Sequence, residues 1–180
     1  MVSRFIDRGA IFAGWVGLGM AVVMVVGLEL IIAVQSLVFL FAVPAGLLIG
    51  SYANARSERR RPWARVIANA AWAGLVTAFS LAILYGSVRL LFVYADSGYR
   101  DPGQGGPLAC ATGPACTYQR YLGTGRGPEL ELAGVSDAAG FERFVLQGQF
   151  NAALAVVTLT LGGAVLGGAV HGLRRAEVPA

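Results

Sequence analysis

From Gly9 to Gly50 the chain runs 42 residues with a single charge, Glu29. One helix of that length would reach about 63 Å, twice the roughly 30 Å of a bilayer's hydrocarbon core. The run therefore has to fold back on itself. The expected cut lies at Gly27-Leu28-Glu29, with Gln35-Ser36 as the competing turn. This gives expected helices over 9–28 and 31–53, each about the 20 residues that a crossing needs.

Composition agrees with that reading. Hydrophobic residues make up 56% of the chain and charged ones 13%, where an ordinary soluble domain carries about a quarter charged residues. This rules out a disordered chain and argues against an ordinary soluble domain. After a short cationic loop, Arg56 to Arg65, in which Pro62 suits the first turn of a helix, a third span is expected over 66–94. Residues 96–140 are polar and rich in Gly and Pro, so they cannot cross hydrocarbon. A fourth span is expected over 149–171. The fold class is thus an all-α bundle of four transmembrane helices, a single membrane domain over 1–180 in contact with the lipid bilayer, with a disulfide-bearing extracytoplasmic loop between helices 3 and 4.

Arginine placement sets the expected orientation. All 14 basic residues are Arg. Arg4, Arg8, Arg56, Arg59, Arg60, Arg61, Arg65, Arg174 and Arg175 fall on one side with only Asp7, Glu58 and Glu177. Arg100, Arg120, Arg126 and Arg143 fall on the other with Asp96, Asp101, Glu129, Glu131, Asp137 and Glu142. Positive charge stays in the cytoplasm, so both termini are expected inside a cell (inner) membrane crossed by several helices. A three-span reading would leave Arg4 and Arg8 outside. A cleaved signal peptide is not expected, because the apolar stretch after Arg8 far exceeds the usual run of roughly 7 to 15 residues. The Ala, Gly and Arg bias without Lys suggests a high-GC bacterium.

Cys110 and Cys116, six residues apart in the loop, are expected to form a disulfide on the oxidising side. The ring is small, so the entropy it removes from the unfolded chain is modest. Thiol exchange is the functional alternative. Within the loop, residues 117–122 and the alternating Glu129-Leu130-Glu131-Leu132, separated by Gly- and Pro-rich turn chemistry, suggest a small β-hairpin. Ser136 is the expected cap of a helix running unbroken into the fourth span.

Ionisable groups within a membrane are expensive and are usually paired or functional. Glu29 and Arg89 are the two candidates, both toward the outer ends of their helices. An ion pair between them is the first expectation; the alternative puts Glu29 in a wet turn and lets Arg89 snorkel to headgroups. His171 is the only histidine, which excludes bis-histidine haem and a histidine-rich metal site, and no cofactor is expected. In the fourth span Gly163 and Gly167 form a GxxxG step, extended by Ala164, Gly168 and Gly172; Ala70, Gly74 and Ala78 form a second small-residue stripe. Such stripes let helix backbones approach closely, either inside one bundle or at a subunit interface. Pro44 is a possible kink. Trp63, Trp72, Tyr94, Tyr99, Tyr118 and Tyr121 read as interfacial aromatics.

The layout is similar to the tetraspanin plan in topology only; that family's Cys-Cys-Gly is absent, and none of its function is carried over. Three functional classes remain. The first is a non-enzymatic accessory or assembly subunit of a larger membrane complex, with a protein partner or a homo-oligomer and no nucleic acid. The second is a small transporter or channel component acting as an oligomer, resting on Glu29, Arg89, Pro44 and Asn69. The third is a membrane thiol oxidoreductase.

Overall fold

The computed structural model describes residues 5–31, 36–57, 62–95 and 110–176. These residues form helices and no strands: α1 Arg8–Val25, continued by a π-helical segment Val26–Ile31, then α2 Leu37–Ala55, α3 Trp63–Tyr94, α4 Pro114–Gly123, α5 Gly127–Leu132 and α6 Ala138–Ala176. Four of them, α1 with its π segment, α2, α3 and α6, are long and apolar enough to cross a membrane, the signature of a membrane protein. Two compact units are present, one of residues 1–85 with 153–180 and one of residues 86–152.

The first unit buries many of its small residues and leaves many of its large ones on the outside. Ala10, Ala13, Ala21, Ala42, Ala53, Ala70, Ala73 and Ala164 are buried, while Trp15, Val23, Leu40, Leu48, Ile83 and Leu166 are exposed. That is the reverse of a water-soluble core, and it is what hydrocarbon permits: lipid tails are as apolar as leucine, so helices gain by close backbone packing rather than by hiding large side chains. The closest packing is between α2 and α6. A Cβ added at Gly46 or Gly50 would land on the backbone of Thr160 or Ala164, and one added at Gly163 would lie 2.5 Å from the Val43 carbonyl. A Cβ at Gly167 would meet the Leu47 carbonyl. Across the same contact the Ser51 hydroxyl donates to the Gly167 carbonyl at 2.9 Å. On its neighbouring face α6 meets α3, where Gly74 lies against Ala164 and Gly168 against Ala70.

Polar side chains join the helix ends of this unit. The Asp7 amide donates to Asn69 Oδ1 at 3.0 Å, and Asn69 Nδ2 donates back to the Asp7 carboxylate at 2.5 Å. Asn54 Nδ2 donates to the carbonyls of Gly50 and Val66, at 3.2 and 3.0 Å. Gly9 lies against the Arg56 backbone, and the Trp63 ring against Gly172. The start of α1, the end of α2, the start of α3 and the end of α6 therefore meet, with Arg8, Arg56, Arg65 and Arg174 among their residues.

Three expectations change. The expected cut at Gly27-Leu28-Glu29 is instead continuous π helix, so Glu29 does not occupy a turn; the competing turn at Gln35-Ser36 falls partly on residues 32–35, which lie outside the described residues. The expected β-hairpin is replaced by α4 and α5. The alternation of residues 129–132 would put Leu130 and Leu132 on one face of a strand, whereas a helix turns them about 200° apart; Leu130 is 1% exposed and Leu132 92%. Pro114 and Pro128 sit in the first turns of the two short helices, where a missing N–H costs nothing. Finally, α6 is capped by Asp137 rather than Ser136, with the Gly140 amide donating to Asp137 Oδ1 at 2.6 Å.

Replacing Gly50 or Gly167 by Leu forces apart the α2–α6 contact. Each is expected to cost about 3 kcal/mol, read as a lowered unfolding midpoint in mild detergent. Gly19→Ala, where an added Cβ meets nothing within 4 Å, should change it by less than about 1 kcal/mol.

Candidate functional site

The second unit holds the disulfide and a compact core of large side chains. Cys110 and Cys116 are joined as a disulfide, with Cys110 exposed and Cys116 buried. The bond ties the chain entering α4 to that helix's first turn. Beyond it, Phe141 of α6 is 1% exposed and packs against the rings of Tyr118 and Tyr121, with centroids 5.6 and 5.3 Å away. Leu130 and Val135 complete the cluster, flanked by Phe144 and Val145. The left-handed glycines Gly125 and Gly134, at φ 78° and 69°, follow α4 and α5 closely; glycine enters that region without the steric cost other residues meet.

This cap is anchored at two further points. The Thr117 hydroxyl donates to the Val93 carbonyl at 3.0 Å, and the Tyr94 hydroxyl donates to Glu142 at 2.5 Å. On its far side, Arg126 stacks over the Tyr121 ring at 4.4 Å and pairs with Glu129 at 3.3 Å. Burial raises the Tyr121 pKa above the usual 10.0, against the lowering pull of Arg126; Glu129 adds to the rise and the charge of Arg89 opposes it. An open hollow of about 430 Å³ lies beside this core, lined by Tyr118, Leu122, Gly127, Leu130, Glu131, Gly134, Val135 and Ser136. Leu132, next to this lining, points its whole side chain outward.

The remaining candidates are distributed as follows. Glu29 is 3% exposed in the first unit. Arg89, half-buried on α3, belongs to the second. Gly163, Ala164, Gly167, Gly168 and Gly172 of α6 pack on α2 and α3, as do Ala70 and Gly74 of α3 on α6, and Ala78 is fully buried. Asn69 is fully buried and bonded to Asp7 by both ends of its amide. His171 is half-buried near the end of α6. Sequence reading missed the Gly46–Gly50 step on α2 and the Asp7–Asn69 clip. The first was visible as a GxxxG spacing; the second joins residues 62 apart and left no local signal. Compared with family models, curated proteins and solved structures, the chain matches none of them.

Two outcomes follow for the cap. Replacing both cysteines by Ser opens a ring that constrains the unfolded chain by about 2 kcal/mol, and should speed amide exchange in α4 by a corresponding factor without abolishing the fold. The Tyr121 proton is held more tightly in the folded cap than in the unfolded chain. Its contribution is complete below pH 10 and is lost as pH rises through the higher folded value. Exchange of α4 and α5 amides, corrected for the intrinsic pH effect, should therefore accelerate above pH 10 in the wild type and less so in Tyr121→Phe.

Proposed function

We propose that the chain is a non-enzymatic accessory or assembly subunit of a larger membrane complex, a four-helix bundle with both termini in the cytoplasm and the disulfide-tied cap on the opposite face. The arginine distribution supports the orientation: Arg8, Arg56, Arg65 and Arg174 share one end, and positive charge stays inside. The docking element is the cap. The observation that carries this reading is Leu132, 92% exposed beside an open hollow, although the cap's own core is complete without it. A large apolar side chain presented on a rigid, cross-linked element is how interfaces place an anchor. The small-residue stripes do not serve this role, because α2, α3 and α6 cover them within the chain.

The test is affinity purification from native membranes in mild detergent, with particle mass measured. A stoichiometric partner protein is expected. Leu132→Glu should reduce its recovery at least 10-fold while the unfolding midpoint stays unchanged; recovery equal to wild type, or a lone monomer, sinks the docking reading.

Transport by an oligomer is the second reading. What favours it is Glu29, buried on a π-helical segment, since such segments are frequent at functional sites and an intramembrane carboxyl is a functional candidate. A homo-oligomer whose ion or proton flux in proteoliposomes disappears in Glu29→Gln would support it over the accessory role.

A further inference from the structure

Arg56, the C-cap of α2, carries an exposed guanidinium that its neighbours hold in place. Its Nε donates to the Tyr52 hydroxyl at 3.1 Å. Its Cζ lies 5.5 Å from the centroid of the Phe12 ring and 5.7 Å from that of Tyr52, and the two rings lie against each other with centroids 6.5 Å apart. The backbone beneath is fixed as well, because the start of α1 packs on the Arg56 carbonyl at Gly9. Arginine has much rotamer freedom to lose on binding. Here the rings and the hydroxyl have taken up much of that cost in advance, so the group is preorganised for a ligand.

What the guanidinium meets follows from the platform it rests on. Phe12, Val16, Gly19 and Val23 follow one another on a single face of α1. Phe12, Val16 and Val23 are 51%, 41% and 72% exposed, and a Cβ added at Gly19 would meet nothing. On α2, Leu48, one turn before Tyr52, is 66% exposed. Both helices are long and apolar enough to cross a membrane, so acyl chains are what covers such a surface. At its polar end stands Arg56, where the helix ends that carry Arg8, Arg65 and Arg174 also meet. Tyr52 occupies Nε, and the two terminal amino groups make no hydrogen bond among the described residues; together they present the fork that grips a phosphate oxygen pair.

We propose that Arg56 binds the phosphodiester of an anionic phospholipid, with Tyr52 and Phe12 holding the guanidinium and an acyl chain lying along Phe12, Val16, Gly19 and Val23. Positive charge at the membrane surface attracts any anionic lipid; the aromatic platform makes one arginine of that surface a defined site. The site needs only that α1 and α2 lie in a bilayer, and it is independent of the docking role given to Leu132. In the orientation proposed above, it faces the inner leaflet.

The test uses the purified full chain in mild detergent, with retained lipid read by native mass spectrometry and stability read as the unfolding midpoint. The probes are phosphatidylglycerol, phosphatidylcholine and inorganic phosphate. Wild type is expected to retain phosphatidylglycerol and to be stabilised by it, with phosphatidylcholine about 10-fold weaker. Arg56→Gln should weaken phosphatidylglycerol binding about 10-fold and abolish its effect on the midpoint, and Arg56→Lys, which keeps the charge but loses the planar fork, should weaken it by less. Tyr52→Phe keeps the ring and removes the hydroxyl that orients the fork, a loss of about 3-fold. Arg174→Gln removes one charge from the same end without touching the platform, and should change binding by less than about 2-fold. A loss in Arg174→Gln as large as in Arg56→Gln would make the effect one of diffuse charge and overturn the site. So would equal binding of the two phospholipids, stabilisation by inorganic phosphate as strong as by phosphatidylglycerol, or a folded Arg56→Gln variant that retains phosphatidylglycerol as wild type does. Should Arg56→Gln not fold, Arg56→Lys and Tyr52→Phe decide, and wild-type affinity in both overturns the proposal.

Discussion

Backbone against backbone, the crossing of α2 and α6 is the contact on which the first unit depends. Four glycines, Gly46 and Gly50 on one helix and Gly163 and Gly167 on the other, remove the side chains that would hold the two axes apart. In hydrocarbon no aqueous penalty drives helices together, so the gain comes from dispersion over a close contact and from the few polar bonds that short distance permits. Ser51 to the Gly167 carbonyl is one such bond. Because Ala164 and Gly168 continue the same small surface around α6, the helix that closes on α2 also closes on α3. Many large side chains are left on the outside, Trp15, Leu40 and Ile83 among them.

The two units obey different physics. In the first, alanines and glycines pack while Asp7, Asn54 and Asn69 satisfy backbone and side-chain polar groups where the helix ends meet. In the second, the core is built as in a small water-soluble domain: Phe141 fills a cage of Tyr118, Tyr121, Leu130 and Val135, and hydrophobic burial with a cross-link holds short helices that would not form alone. An element of six residues such as α5 has no independent stability. It persists because Leu130 is inserted in that core and Pro128 and Gly134 set its ends.

Much of this was legible from the sequence. Four long apolar segments and a cysteine pair six residues apart imply the spanning helices and the disulfide, because span length and sulfur spacing are local properties. What failed was decided by contacts across the chain or by periodicity too short to read. The four residues from Glu129 to Leu132 satisfy a strand's period of two and a helix's geometry equally, and only the partner surface of Phe141 selects between them. Glu29 looked like a turn residue because a charge interrupts an apolar run; a buried place inside a helix was the competing outcome, and the chain continues its helix through it with a wider π turn. Ser136 and Asp137 are both good caps, and neighbouring cap residues differ by less than sequence rules resolve. For the candidate site, the exposure of Leu132 follows from the way α5 inserts Leu130 into the core around Phe141, which the local sequence does not reveal.

The α2 glycine face and its cover are separated by more than a hundred residues, with α3 and the whole cap between them. During synthesis α2 is therefore inserted with its narrow groove open, and it remains so until the ribosome has delivered the last helix. For that interval the half-made protein displays to the membrane a surface shaped for a backbone it does not yet have.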